Sequence, residues 1–281
     1  MTAQHAAHGP VAGTVSYLYA VCRADVAAAP PVAGVPAGPG DGPAPLRLVR
    51  EGTLAAVVSS VPADAYSTEG LEASLGDLER LEALARAHNA VVDAVHARAT
   101  VLPMRLATVY LDDARVAEVL REGAEDFGRL LDRLEGHDEL GVKVYATPAD
   151  RARGAAPREE PPAPEGSSPG RAYLRRRQAQ RRSHRDAHRA AGEAAARLPE
   201  AVAELARGRA VHRPQQADAA KGAGENIANE AYLVARSDRT AFRAAVAALA
   251  DGVPGVRVEV TGPWAPYSFT SPGAGQEAGT A

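Results

Sequence analysis

The chain has 281 residues, 46% of them apolar and 4% aromatic, with a formal net charge of −3. That length suits one large domain or two ordinary ones, and the charge gives no global attraction to nucleic acid or acidic membranes. The single Cys22 excludes an internal disulfide and a multi-cysteine metal site, and no apolar run approaches the length of a membrane span.

In chain order, MTAQHAAHGPVAG lacks a basic region followed by an apolar stretch and reads as a disordered tail, not a secretion signal. VSYLYAVC (15–22) is β-branched and aromatic, which predicts a strand. The Pro-, Gly- and Ala-rich run up to Leu46 predicts a flexible loop. LRLVREG (46–52) and TLAAVVSSV (53–61) predict two strands turning at Glu51-Gly52, which complete a small antiparallel sheet. From Ser67 the period changes. Leu71, Leu75, Leu78, Leu81, Leu84, His88, Val91 and Val95 recur at steps of three and four, predicting a helix of roughly 25–30 residues capped by Ser67 or Thr68.

Pro103 interrupts that pattern, and residues 99–111 read as short extended pieces. A second helix is expected from Asp112 or Asp113 to Gly136, with Val116, Val119, Leu120, Phe127, Leu130, Leu131 and Leu134 on one side. ELGVKVYAT (139–147) alternates as a strand. Residues 148–170 read as an exposed loop, followed by a helix from about 170 to 207. PQQADAAKGAGEN (214–226) reads as a loop, 230–237 as a strand, 240–252 as a helix and 255–262 as a strand. The alternation points to an α+β fold with helices on one face of a sheet.

Several residues invite a chemical reading. Arg171, Arg175, Arg176, Arg177, Arg181, Arg182, Arg185 and Arg189 are opposed by Asp186 alone. Such forks suit phosphate, hence RNA, but without a recognition motif they read first as a solvated face that pairs with acidic surfaces, in this chain (Glu159, Glu160, Glu165) or on a partner. His184 and His188 share a helix face, which could serve zinc, but neighbouring arginines repel a cation. His88 reads as part of an apolar stripe, beside Asp93 and His96. Cys22 reads as a small buried hydrophobe. No glycine-rich loop has phosphate-binding form, and no acid, base and nucleophile assemble. TGPWAPYSF (261–269) gathers Trp264, Tyr267 and Phe269 between stiffening prolines. It reads as a clasp over the second domain, with an aromatic rim that could anchor a partner.

Taken together, YLYAV (17–21), VLPMRLATVY (101–110), LEGHDELGVKVYA (134–146), YLRRR (173–177), NEAYLVAR (229–236) and VEVTGPWAPYSF (258–269) resemble the gas vesicle accessory proteins of the L/F type. Leu106 and Ala107 stand where that family usually has an aromatic residue and glycine, and Ala265-Pro266 where it usually has two prolines. The resemblance implies an α+β protein of two domains. A small N-terminal sheet with amphipathic helices would occupy 14–138, and a ferredoxin-like sandwich with a long helix 139–270, between tails at 1–13 and 271–281. It also implies a cytoplasmic structural or assembly role in gas vesicle formation, with no catalytic residue, metal or cofactor. The expected partners are the hydrophobic main shell protein and other accessory proteins. The surfaces expected to meet them are Arg175, Arg176, Arg177, Arg181 and Arg182 with Trp264, Tyr267 and Phe269. An RNA-binding module and an enzyme with a site between the domains are the alternatives.

Overall fold

The structure is a computed structural model, and it describes residues 13–26, 34, 44–67, 70, 77–147, 169–214 and 224–270. The expected tails, most of the loops at 25–46 and 148–170, the Thr68 cap, and Leu71 and Leu75 lie outside the described residues. The chain divides into two compact units, Met1–Gly136 with Trp264–Pro272, and His137–Pro263 with the final residues.

In the first unit, β1 (Thr14–Arg23), β2 (Arg47–Glu51), β3 (Leu54–Pro62), β4 (Val101–Pro103) and β5 (Val109–Tyr110) form an antiparallel sheet. Its order is β2-β3-β1-β4, with β5 also on β1. Neighbouring residues of β1 point to opposite faces. Tyr17 and Tyr19 enter the core with Leu84, His88, Val91, Val92 and Val95 of α1 (Leu78–His96). Ser16 faces the other way, and its hydroxyl donates to Asp113 Oδ1 at 2.6 Å on α2 (Asp113–Glu122). Arg47 grips the same carboxylate with Nε at 2.7 Å and Nη2 at 2.5 Å and reaches Ser60 Oγ at 3.0 Å. Helices therefore cover both faces of this sheet.

Two helical expectations change. Among the described residues α1 starts at Leu78, where the Asp77 side chain accepts the Arg80 amide, and Leu78 is 77% exposed, outside the stripe assigned to it. The helix expected from 112 to 136 is two helices, α2 and α3 (Ala124–Leu134), separated by Gly123 at φ −94°, ψ 10°. Glycine adopts that non-helical backbone without steric cost, and Val116, Leu120, Leu131 and Leu134 of the two helices all reach the core.

The second unit runs β6 (His137–Ala146), α4 (Pro169–Ala201), β7 (Ala206–His212), β8 (Glu225–Ala235), α5 (Arg239–Ala248) and β9 (Val256–Trp264), with sheet order β7-β8-β6-β9. That βαββαβ path is the ferredoxin-like one. Strand β7 falls at the end of the expected long helix and in the stretch before the loop at 214, to which the sequence reading gives no element. Arg207, Gly208 and Arg209 hide it, because an edge strand can be polar and needs few β-branched residues. Leu140, Val142 and Val144 of β6 meet Ala187, Ala191, Ala194 and Leu198 of α4 and Phe242 and Val246 of α5. The alanines let α4 lie close to the sheet, and a Cβ on Gly255 would come within 2.8 Å of Ala187 Cβ.

Charges inside this unit are paired. Glu230 on β8 takes both Arg209 Nε and Nη2 at 2.7 Å and the Tyr232 hydroxyl at 2.5 Å. Buried Asp138 faces Arg236 at 3.1 Å and Arg239 at 3.0 Å, fixing the entry to α5. Strand β9 continues through Pro263 to Trp264, which an edge position tolerates because no ladder donor is required there.

Candidate functional site

The three aromatics of the tail have separate fates. Trp264 ends β9 with 48% of its surface exposed. Phe269 is fully buried in the turn Tyr267–Phe269. The Tyr267 hydroxyl donates to Asn89 Oδ1 at 3.1 Å, and its ring stands 6.4 Å from that of His88. Ala265 belongs to the core built on Tyr17 and Tyr19. The clasp therefore closes on the first unit, where the expectation had it covering the second. The tail follows a strand of the second unit in sequence, but the aromatic floor it needs is made by β1 and α1.

That floor is a closed hydrogen-bond circuit. His88 Nε2 lies 3.1 Å from the Met104 carbonyl, which can only accept, so Nε2 carries the proton. Nδ1 then accepts from the Tyr17 hydroxyl at 2.9 Å, whose oxygen accepts the Ala107 amide at 2.9 Å. Burial pushes the His88 pKa down to about 4, opposed in part by the Met104 carbonyl, and pushes the Tyr17 phenol up. A neutral histidine that is fully satisfied on both nitrogens is a structural element and has no proton to exchange near neutral pH. Ala107 itself sits at φ +62°. A glycine would occupy this left-handed conformation without the steric cost that alanine bears. The turn is closed by its own bonds: the Arg105 carbonyl accepts from Thr108 N at 3.2 Å and Thr108 Oγ1 at 2.8 Å. Tyrosines at alternate positions of β1 were the signal for this circuit, and sequence reading missed it.

Cys22 is buried, and its thiol is pushed up to about 12 by that burial, the state of an inert packing residue. Among the described residues no group of three or more His, Cys, Asp or Glu side chains is placed to hold a metal, and no helix is long and apolar enough to cross a membrane.

The arginine block occupies the first half of α4. The packed half is marked by Ala187, Ala191, Ala194 and Leu198 on one stripe, whereas Arg171, Arg175, Arg176, Arg177, Arg181, Arg182 and Arg185 are all exposed. This bare half extends about four turns, or roughly 24 Å. Between 171 and 185 there are seven arginines and no acidic residue. Like charges three or four apart, as at 171/175, 177/181 and 181/185, each disfavour the helix by about 0.2–0.5 kcal/mol. Relief comes late: Arg189 meets Glu193 at 3.1 Å and Asp186 at 3.9 Å. Tyr173 and Leu174 add exposed apolar surface, the tyrosine hydroxyl taking Arg177 Nη1 at 2.9 Å. Arg177, Gln180, Arg181, His184 and Arg185 border an open depression along this half.

The fold is that of known gas vesicle proteins. GvpF from Anabaena sp. PCC7120 aligns with a TM-score of 0.60 at 15% identity, over 92% of this chain and 96% of that one. GvpF from Microcystis aeruginosa aligns at 0.54 and 16%, over 92% and 99%. The sequence adds the family: residues 15–271 match the gas vesicle synthesis protein GvpL/GvpF family, and the chain belongs to it. It is 44% identical to gas vesicle protein L of Streptomyces sp. (strain CB03234) over 91% of this chain and 92% of that protein. Identity with gas vesicle protein F of the same strain is 30%, over 90% and 98%.

Proposed function

We infer that this chain is an accessory protein of gas vesicle formation that binds the main shell protein and other accessory proteins in the cytoplasm. The single observation that carries this reading is membership of the GvpL/GvpF family across nearly the whole chain. The higher identity to the L protein supports an L-type part in assembly. The role we assign is binding and not turnover. The titratable groups most shifted by burial, Tyr232, Tyr17, Cys22 and His88, are buried and turned to partners inside the chain, whereas a catalytic group must reach substrate.

A shell subunit with exposed apolar surface aggregates unless that surface is covered. Two exposed features of this chain can serve partners. One is Trp264, the only member of the tail trio that offers much of its ring. The other is the exposed arginine half of α4, whose outward face carries Arg175 and Arg182. Tyr267 and Phe269 are turned inward and offer a partner less surface.

The test is a gas vesicle gene cluster expressed in a host without one, with and without this gene. The expected result is loss of buoyant cells and of vesicles by electron microscopy when the gene is omitted. Unchanged vesicle yield would remove the assembly role.

A further inference from the structure

We propose that one face of the bare half of α4 is a rail for an acidic helix of a partner protein, read by a row of arginines and not by diffuse positive charge. At 3.6 residues per turn, Ala187, Ala191, Ala194 and Leu198 mark the face that packs on the sheet. On the opposite face, in line along the helix, stand Arg171, Arg175, Gln178, Arg182 and Arg185, at steps of four, three, four and three. Arg171, Arg175 and Arg182 have no ion pair among the described residues, and Arg185 reaches only the Arg181 carbonyl at 3.4 Å. The next residue of the row, Arg189, is already held by Glu193, so the open part ends at Arg185. It covers two heptads, roughly 21 Å.

This spacing is that of one helix lying along another. An occupant with carboxylates at matching steps of three and four meets each guanidinium in turn. Gln178, the neutral centre of the row, takes a hydrogen bond in place of an ion pair. Exposed Leu174 stands on the shoulder of the row and offers an apolar contact that a helix can cover. A nucleic acid fits less well. The stretch 171–185 carries seven positive charges while the whole chain nets −3, so the remainder carries −10, which repels a polyphosphate running past the ends of the row. Arg176, Arg177 and Arg181 lie off the row, toward the packing face and its flanks, so three of the five arginines singled out by sequence fall outside it.

The inference rests on the reading that the chain works by binding proteins. Vesicle yield tests that reading and a peptide titration tests this one, so the two can fail separately. The full chain is titrated at physiological salt with three probes: a helical peptide carrying Glu at the matching steps, a scrambled peptide of the same composition, and a polyuridine of similar length. The patterned peptide is expected to bind about tenfold tighter than the scrambled one, since charge pairing sets register and specificity. The Arg175→Glu/Arg182→Glu variant is expected to lose about tenfold and to gain a matching peptide with Lys in place of Glu. The Arg176→Glu/Arg177→Glu variant, with the same change in net charge, is expected to stay within about threefold of the parent. Equal binding of both peptides, or equal loss in both variants, overturns the row in favour of diffuse charge. Tighter binding of the polyuridine overturns it in favour of nucleic acid.

Discussion

The tail after β9 and the first turns of α4 are the two most lopsided stretches of this chain, one in aromatics and the other in arginine. They finish on opposite sides of the protein–water boundary. The tail ends with Phe269 buried and Tyr267 bonded to Asn89. The arginine turns carry no packing stripe until Ala187. A biased composition shows that a segment has a task, and burial decides whether that task is internal. Aromatic rings gain by leaving water, while guanidinium groups without carboxylates nearby cannot leave it.

The largest expected effect tests the internal half of this contrast. Phe269→Ala should destabilise the protein by about 3–5 kcal/mol in denaturant titration; a loss below about 1 kcal/mol would mean that the clasp closes on little. Next comes the floor under the clasp. His88 has a folded pKa of about 4 against an ordinary 6.5. Between those values the unfolded chain takes up a proton that the native histidine refuses. Stability is therefore complete above about pH 6.5 and falls as the pH drops toward 4, by on the order of 3 kcal/mol. Thermal melts across that window should show the slope, and His88→Gln should flatten it at the expense of overall stability. A smaller effect of opposite sign is expected at Ala107, where glycine relieves the left-handed backbone: Ala107→Gly should raise stability by up to about 1 kcal/mol. At the outer edge, Trp264→Ala should cost no more than about 1–1.5 kcal/mol, in keeping with its half-exposed ring, while weakening association with a vesicle partner. Smallest of all, Arg175→Glu/Arg182→Glu should leave stability within about 0.5 kcal/mol or raise it slightly, as repulsion along the helix is relieved.

Much of the fold was legible because single segments carry strong local signals. VSYLYAVC fixes β1, the period through Leu84, His88 and Val91 fixes α1, and the alternation at 140–144 fixes β6. What escaped depends on neighbours that local patterns do not name. Strand β7 is an edge strand whose Arg209 is drawn in by Glu230, twenty-one residues away. The break at Gly123 is not marked locally, since Gly128 is carried within α3. The clasp's target is set by Asn89 and His88, which no property of residues 261–269 specifies. On the surface side the arginine block was plain, but its division into a row and off-row positions required knowing which stripe of α4 packs, and only Ala187, Ala191, Ala194 and Leu198 together show that.

The central claim is that this chain acts by covering surface on other vesicle proteins. The most direct measurement dilutes the main gas vesicle shell protein out of denaturant and follows light scattering with and without an equimolar amount of this chain. Strong suppression of scattering, weakened in Trp264→Ala, is the predicted result. Scattering identical to that with an unrelated control protein of similar size and charge would contradict the account.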